Sequence, residues 1–282
     1  MTPGGKLRAS MKEQTVVAPF ICDGIQTVFA EKAGFKSGYM TGFGSAATFG
    51  LPDVGLLTLT QMCEKIRINT YCSDLPLIVD ADTGYGNYIN VIQTVREYER
   101  AGAAALHIED QVWPKRCGYM KNKQVISKEE AVTKIKAAVD ARKNQDFIII
   151  ARTDTLAVNG WEDVEDRVRS FMEAGADMAF VDGIRTIDDV KAYSERLKGI
   201  PVLFNNVPMI SMKDVAKIGK FPIVLNPFAM IQAWVNCERA LKQLMEDQLP
   251  PSSEIDQSFF NHIIGVLGAP EYFELDKRYS NN

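Results

Sequence analysis

Runs of apolar residues recur along the chain at 16–22 (VVAPFIC), 37–42 (SGYMTG), 76–81 (PLIVDA), 105–109 (ALHIE), 147–153 (FIIIART), 177–182 (DMAFVD), 201–205 (PVLFN) and 221–226 (FPIVLN). Their length and near-continuous hydrophobicity are those of parallel strands buried on both faces. Helical patterns lie between them. Ser127 opens one, with Glu130 at capping-box spacing and Val132, Ile135, Ala138 and Val139 recurring on one face. Three segments repeat a theme of helix end, Ala-Gly, apolar run and polar residue: EKAGFKSGYMTG (31–42), ERAGAAALHIED (99–110) and MEAGADMAFVDG (172–183). A glycine just past a helix supplies a left-handed C-terminal cap. Strands alternating with helices imply βαβ units, and eight of them predict an α/β fold closed into a (β/α)8 TIM-type barrel. An open doubly wound sheet is the alternative, because periodicity counts strands without showing closure. No linker-like stretch interrupts the middle, so residues 1–282 are expected to form one barrel domain. Residues 228–282 are a C-terminal helical extension, broken by PPSS at 250–253 and longer than a barrel's last helix needs.

Composition excludes several classes. The 282 residues are 46% hydrophobic and 24% charged, an ordinary soluble balance. A formal charge of −4 offers no footprint for nucleic acid or an anionic membrane. No apolar run approaches the roughly 20 residues that span a bilayer. The first residues, MTPGGKLRASMKEQ, lack the apolar core of a signal peptide. Cys22, Cys63, Cys72, Cys117 and Cys237 are odd in number and scattered, which points to a reducing cytoplasm rather than a disulfide framework. Two histidines and no CxxC leave little for zinc.

A barrel places its active site at the C-terminal ends of the strands. Here those ends carry Asp80 and Asp82, Glu109 and Asp110, Arg152 and Asp154, Asp182, Asn205 and Asn206, and Asn226. Strand alternation puts Asp80 and Asp82 on one face, and pairs His107 with Glu109 and Arg152 with Asp154. Any one strand-end Asp also serves as a helix cap or turn residue. As a group, Asp80, Asp82 and Glu109 would repel one another unless a cation sat among them. Hard oxygen ligands without His or Cys favour Mg²⁺, or Mn²⁺ in its place. His107 reads as a hydrogen-bonded core residue.

Two loops add chemistry. In 39–55, YMTGFGSAATFGLPDVG, glycines let backbone N–H groups approach a ligand, although a plain turn would read the same. In 110–126, DQVWPKRCGYMKNKQVI, the basic residues Lys115, Arg116, Lys121 and Lys123 surround Cys117 and Gly118. A basic loop at the rim of an acidic site suits a small anionic substrate, and basic neighbours make Cys117 a candidate reactive thiol. A solvated surface loop is the plainer reading. The other four cysteines read as inert packing.

Tyr39-Met40-Thr41-Gly42, Leu51-Pro52-Asp53, DADTGYGN (80–87), HIED (107–110), PKRCG (114–118) and ARTD (151–154) together resemble the isocitrate lyase and phosphoenolpyruvate mutase superfamily. Within it the likeness is greatest to the short-chain 2-methylisocitrate and 2,3-dimethylmalate lyase branch, and it weakens after about residue 230. The resemblance implies a (β/α)8 barrel, a C-terminal helix exchanged between subunits, and a homotetramer built as a dimer of dimers. It implies Mg²⁺ held by Asp80 and Asp82 directly or through water, with Glu109 and Asp53 completing the acidic set. Thr41, Gly42 and Phe43 would bind the substrate's carboxylate end, and Arg152 would pair with the carboxylate and oxygen beside the metal. Lys115, Arg116, Cys117 and Gly118 would form a mobile gate, and Asp182 and Asn205 would match polar residues at the ends of strands six and seven. Tyr39 would be the base, its pKa lowered by Lys115, and Cys117 would protonate the departing carbon.

The implied activity is Mg²⁺-dependent cleavage of a carbon–carbon bond in a 2-hydroxy di- or tricarboxylic acid, giving a 2-keto acid and a carboxylic acid. Three departures from the family pattern bear on it. Tyr119 stands where lyases usually carry His, and a neutral Tyr supplies no charge to a distal carboxylate. Phe43 replaces a small residue, and Asp182 is shorter than the usual Glu. The first two lean toward a smaller diacid. The alternatives are hydrolysis or decarboxylation of oxaloacetate, phosphonopyruvate-type phosphorus–carbon chemistry, and a non-catalytic metabolite-binding relative.

Overall fold

The computed structural model describes residues 1–118, 120–207, 209–248 and 257–280. The eight apolar runs become eight strands: β1 (Val16–Ile21), β2 (Gly38–Met40), β3 (Leu77–Asp80), β4 (Ala105–Glu109), β5 (Ile148–Thr153), β6 (Met178–Val181), β7 (Val202–Asn205) and β8 (Ile223–Asn226). The helices are α1 (Pro3–Glu13), α2 (Gly24–Lys32), α3 (Gly42–Thr48), α4 (Leu59–Cys72), α5 (Tyr88–Ala101), α6 (Lys128–Ala141), α7 (Trp161–Glu173), α8 (Ile187–Arg196), α9 (Met212–Ile218), α10 (Phe228–Met245), α11 (Gln257–Val266) and α12 (Ala269–Ser280). Neighbouring strands are parallel. β8 returns to β1, with Val16 opposite Ile223 and Pro19 opposite Asn226, so the sheet is a closed barrel and not the open alternative.

The glycines of the repeated theme end their helices as expected, with φ of 88° at Gly34, 99° at Gly102 and 95° at Gly175. That region is open to glycine at little cost and penalises most other residues. Ser127 caps α6 by accepting from the Glu130 N–H at 3.2 Å. Strand alternation then divides the burial. Met40, Val79, Leu106, Ile108, Ile149 and Ala151 pack outward against Val91 and Val95 of α5 and Ile135 of α6. Ala179, Val181, Phe204 and Val224 belong to a second outer cluster, with Val164 and Val168 of α7.

Residues of the opposite parity line the barrel mouth. Phe20, Tyr39, His107 and Phe180 form a belt of rings, with centroid separations of 4.8, 5.6 and 5.4 Å in that order. Arg152 lies 5.2 Å over the Phe180 ring. The belt floors the mouth with apolar faces, and two residues beyond Tyr39, His107 and Phe180 come the buried polar residues Thr41, Glu109 and Asp182.

The chain divides into two compact units, residues 1–230 and 231–282. In the second, α11 and α12 bury no residue, and Phe259, Phe260, Tyr272 and Phe273 are exposed. Cys237, expected to be inert packing, is exposed on α10 because that helix has almost no buried face. Cys22 and Cys63 are buried, and burial pushes both thiols up to about 11. Among the described residues no helix is long and apolar enough to cross a membrane.

Candidate active site

The acidic centre is built by three strand ends and two loops. β3 ends at Asp80, and Asp82 follows in the left-handed region at φ 46°. Asp80 and Asp82 therefore share a site because the chain turns sharply after the strand, not because the strand continues its alternation. The Asp82 N–H donates to Asp80 Oδ1 at 2.9 Å. Tyr85, also left-handed at φ 60°, meets Tyr98 of α5 at 2.8 Å, and the Tyr98 hydroxyl donates to the Asp80 carbonyl at 3.0 Å. Two non-glycine residues in that region cost on the order of 1–2 kcal/mol each. Such strain persists where surrounding contacts fix it, as the tyrosine pair does here.

Gly42 opens α3 so close to this turn that a Cβ would lie 2.8 Å from Asp80 Oδ2. Its N–H donates to the same oxygen at 3.1 Å. The Tyr39 hydroxyl lies 2.8 Å from His107 Nε2 and 3.4 Å from Asp80 Oδ2. His107 is fully buried, and burial lowers its pKa to about 4, so the ring is neutral at physiological pH. It is the hydrogen-bonded core residue the sequence suggested.

Protein cations separate the carboxylates. The Lys115 ammonium is bonded to Asp53 and lies 2.9 Å from Asp82 Oδ1. Arg152 contacts Glu109 at 3.1 Å and clasps Asp154 through two nitrogens at 2.9 and 3.1 Å. Burial pushes Asp82 up to about 6, with Lys115 opposing and Asp80 adding to the shift. Burial likewise holds Glu109 well above the usual carboxylate range, although Arg152 pulls it back. The expectation that Lys115 lowers the pKa of Tyr39 meets a different balance. The ammonium faces aspartates, and burial followed by the charge of Asp80 holds the phenol well above its ordinary value.

The flap, residues 110–126, docks over this centre. Its two limbs pair where Val112 N–H donates to the Gln124 carbonyl at 2.8 Å. Cys117 N–H donates to the Asp53 carbonyl at 3.1 Å. Gly118 lies so near Asp182 that a Cβ would fall 2.6 Å from its carboxylate. Arg116 is exposed and turned onto the flap itself, with its guanidinium on the Lys121 carbonyl at 3.2 Å. Tyr119 lies outside the described residues. Thr41 is buried at the start of α3 with no capping bond from its side chain, Phe43 is 40% exposed, and the buried Asn205 Oδ1 has no hydrogen-bond partner.

Sequence reasoning underrated two residues. Lys123 read as part of a solvated rim, yet its side chain is 3% exposed and donates to Asp154 at 2.7 Å and Asp182 at 2.8 Å. Asp110 read as a strand-end acid, and in the fold it accepts from Thr153 at 2.6 Å and from Arg167 of α7 at 3.1 Å. Neither partner is near in sequence, so no local signal marks them. Both oxygens of the buried Glu109 also lack a hydrogen bond. An anionic carboxylate left this way is costly unless a cation meets it.

A family model described as phosphoenolpyruvate phosphomutase matches residues 7–245. The 2,3-dimethylmalate lyase of Eubacterium barkeri is 38% identical over 277 residues, covering 94% of this chain and 95% of that protein. The 2-methylisocitrate lyase of Aeropyrum pernix is 39% identical over 251 residues, covering 86% and 80%. Oxaloacetate acetylhydrolase solved with 3,3-difluorooxalacetate superposes with a TM-score of 0.90 at 32% identity, over 99% of this chain and 97% of that one. Phosphonopyruvate hydrolase solved with oxalate and Mg²⁺ gives 0.86 at 28% identity, over 99% of each chain. With a family model spanning most of its length and named lyases matched almost end to end, the chain belongs to the phosphoenolpyruvate mutase/isocitrate lyase superfamily.

Proposed function

We propose that this protein is a Mg²⁺-dependent carbon–carbon lyase. Its substrate would be a small 2-hydroxy di- or tricarboxylic acid of the 2,3-dimethylmalate or 2-methylisocitrate type, and its products a 2-keto acid and a carboxylic acid. The observation that carries this reading is the meeting, at one barrel mouth, of Asp80, Asp82 and Glu109, whose oxygens accept no hydrogen bond, with Arg152 and the Cys117 flap. Among the described residues no three metal-ligating side chains surround a common point. Mg²⁺ keeps several waters of its own and needs only one or two carboxylates directly. Asp80 and Asp82 would hold the ion, with Glu109 and Asp53 around it, and Mn²⁺ would serve in its place. Bound there, the ion would lower the pKa of the substrate's hydroxyl toward neutrality.

The remaining chemistry belongs to the chain. Tyr39, a neutral phenol, would relay the hydroxyl proton, accepting it as its own proton passes to His107 Nε2, with Asp80 beside it. As the bond breaks, its electrons pass to the carboxylate of the departing fragment, and the Arg152 guanidinium offsets that charge. The Cys117 thiol then donates its proton to the carbon. The flap excludes water while this happens. Thr41, Gly42 and Phe43 would bound one side of the substrate and Gly118 and Asn205 the other, with Asp182 against Gly118 and Arg116 on the flap.

A second reading, hydrolytic cleavage of oxaloacetate, draws support from bulky Phe43 and from the likeness to oxaloacetate acetylhydrolase. Cys117 argues against phosphorus–carbon chemistry. Incubation with Mg²⁺ and each of 2,3-dimethylmalate, 2-methylisocitrate, isocitrate, oxaloacetate and phosphonopyruvate, followed by NMR, separates these readings. Cleavage of a 2-hydroxy acid is expected. Oxalate and acetate from oxaloacetate alone would establish the second reading, and no turnover of any acid would remove both. The exposed apolar residues of α10, α11 and α12 support the further proposal of a dimer of dimers that exchanges its C-terminal helices, and the scattered free cysteines support a cytoplasmic location for it.

A further inference from the structure

The flap reaches the barrel by two buried lysines. Lys115 enters the acid set already described. Lys123, on the returning limb, enters a separate one. Its ammonium bridges Asp154, just past the end of β5, and Asp182, just past the end of β6, at 2.7 and 2.8 Å. Asp154 is the carboxylate that clasps Arg152 through two nitrogens, and Arg152 in turn contacts Glu109. Asp182 is the carboxylate against which Gly118 packs without room for a side chain. Arg185, two residues after β6 passes Asp182 and Gly183, donates to the Gly118 carbonyl at 2.7 Å and lies 3.6 Å from Asp182. One ammonium therefore ties the flap to the arginine expected to hold substrate and to the seat of the residue beside the reactive thiol.

We infer that Lys123 is a positioning residue: by bridging Asp154 and Asp182 it latches the flap to the barrel mouth and fixes the orientation of Arg152, with Arg185 gripping the flap at Gly118. Asp182 then serves the flap rather than the substrate, and its short reach is what leaves room for the ammonium. A buried charge bonded to two carboxylates makes a discrete latch, because withdrawing it takes the ammonium from both anions at once and leaves Asp182 only the longer contacts to Arg185 and Arg152, at 3.6 and 3.8 Å. The pair Arg152–Asp154 would remain, but Asp154 would lose the contact that holds it across from β6. The inference rests on the proposed lyase function only for the task of the thiol; the geometry of the latch stands without it.

The test reads the flap directly. In a Cys237→Ser background, which removes the exposed competing thiol, the rate of Cys117 alkylation by iodoacetamide is followed by peptide mass spectrometry. Lys123→Met and, separately, Arg185→Gln are expected to raise that rate at least fivefold without ligand. Each is also expected to raise KM more than it lowers kcat for whichever acid the NMR panel identifies. Lys123→Arg, which keeps the charge, is expected to recover part of the loss. Arg185 is partly exposed and its variant keeps every buried ion pair of Lys123, so it remains informative if Lys123→Met does not fold. An unchanged alkylation rate in folded Lys123→Met or in Arg185→Gln overturns the latch. So does a loss of thermal stability with KM and alkylation unmoved, since that marks a merely structural lysine. Failure of the acid panel with alkylation accelerated would sink the lyase reading and leave the latch standing.

Discussion

Replacing Glu109 by Gln separates the metal from the fold. Glu109 is 1% exposed, neither of its oxygens accepts a hydrogen bond, and Arg152 is its ionic neighbour at 3.1 Å. Burial raises its pKa, so without a divalent ion the folded state binds a proton more tightly than the unfolded chain does. The sign follows from linkage. Glu109 contributes stability that is full below about pH 4, its unfolded value, and is lost as pH rises through the raised folded value. Gln is close in shape to the protonated acid, so the substitution is expected to change metal-free stability by less than ~1 kcal/mol below about pH 4, where the acid is protonated in both states, and to remove Glu109's share of the fall in stability above that pH.

The ion reverses this comparison, because it favours the carboxylate. At a concentration 100 times its Kd, a ligand that binds only the folded state adds about 2.7 kcal/mol. At roughly 2–4 °C per kcal/mol for domains approaching this size, the wild-type Tm should rise by about 5–10 °C with Mg²⁺. Glu109→Gln should lose half of that shift or more. The assay is thermal unfolding by circular dichroism in chelator and in saturating Mg²⁺ or Mn²⁺. A full shift in the variant would remove Glu109 from the ion's surroundings. No shift in the wild type with either ion would refute the metal site itself.

Other outcomes follow from the same geometry. Cys117→Ser is expected to reduce lyase turnover at least a hundredfold while leaving the Mg²⁺-induced Tm shift intact; full turnover in that variant would take the thiol out of the mechanism. Arg167→Met should cost roughly 3–5 kcal/mol in urea unfolding, because it strands buried Asp110 and frees the Ile126 carbonyl at the root of the flap, both held by that arginine at 3.1 and 2.9 Å. A cost under 1 kcal/mol would show that this network contributes specificity and not stability.

The strands were legible because a parallel strand covered on both faces must be apolar almost throughout, and that signature is local. So were the glycines that end α2, α5 and α7, whose left-handed backbone leaves a residue-type requirement in the sequence. The acidic character of the strand ends could also be read off directly. The turn that carries Asp82 was not legible: alternation gave the correct neighbourhood for a reason the backbone does not use. The basic flap was seen as a rim, and the burial of Lys115 and Lys123 was missed, because their aspartates lie on other strands and no local pattern announces a partner across the barrel.

The chain by itself therefore determined the number of its strands, their alternation with helices, and which residue types stand at the strand ends, since these depend on burial and backbone preferences acting over a few residues; helix α3, inside the stretch read as a glycine-rich loop, was not among them. Closure of β8 on β1, the pairing of Tyr39 with His107, and the division of the acids between Lys115, Arg152 and Lys123 were decided by tertiary structure alone. Each requires atoms distant in sequence to lie within a few ångströms. At that range burial and Coulomb energies set the charge and position of every group in the site.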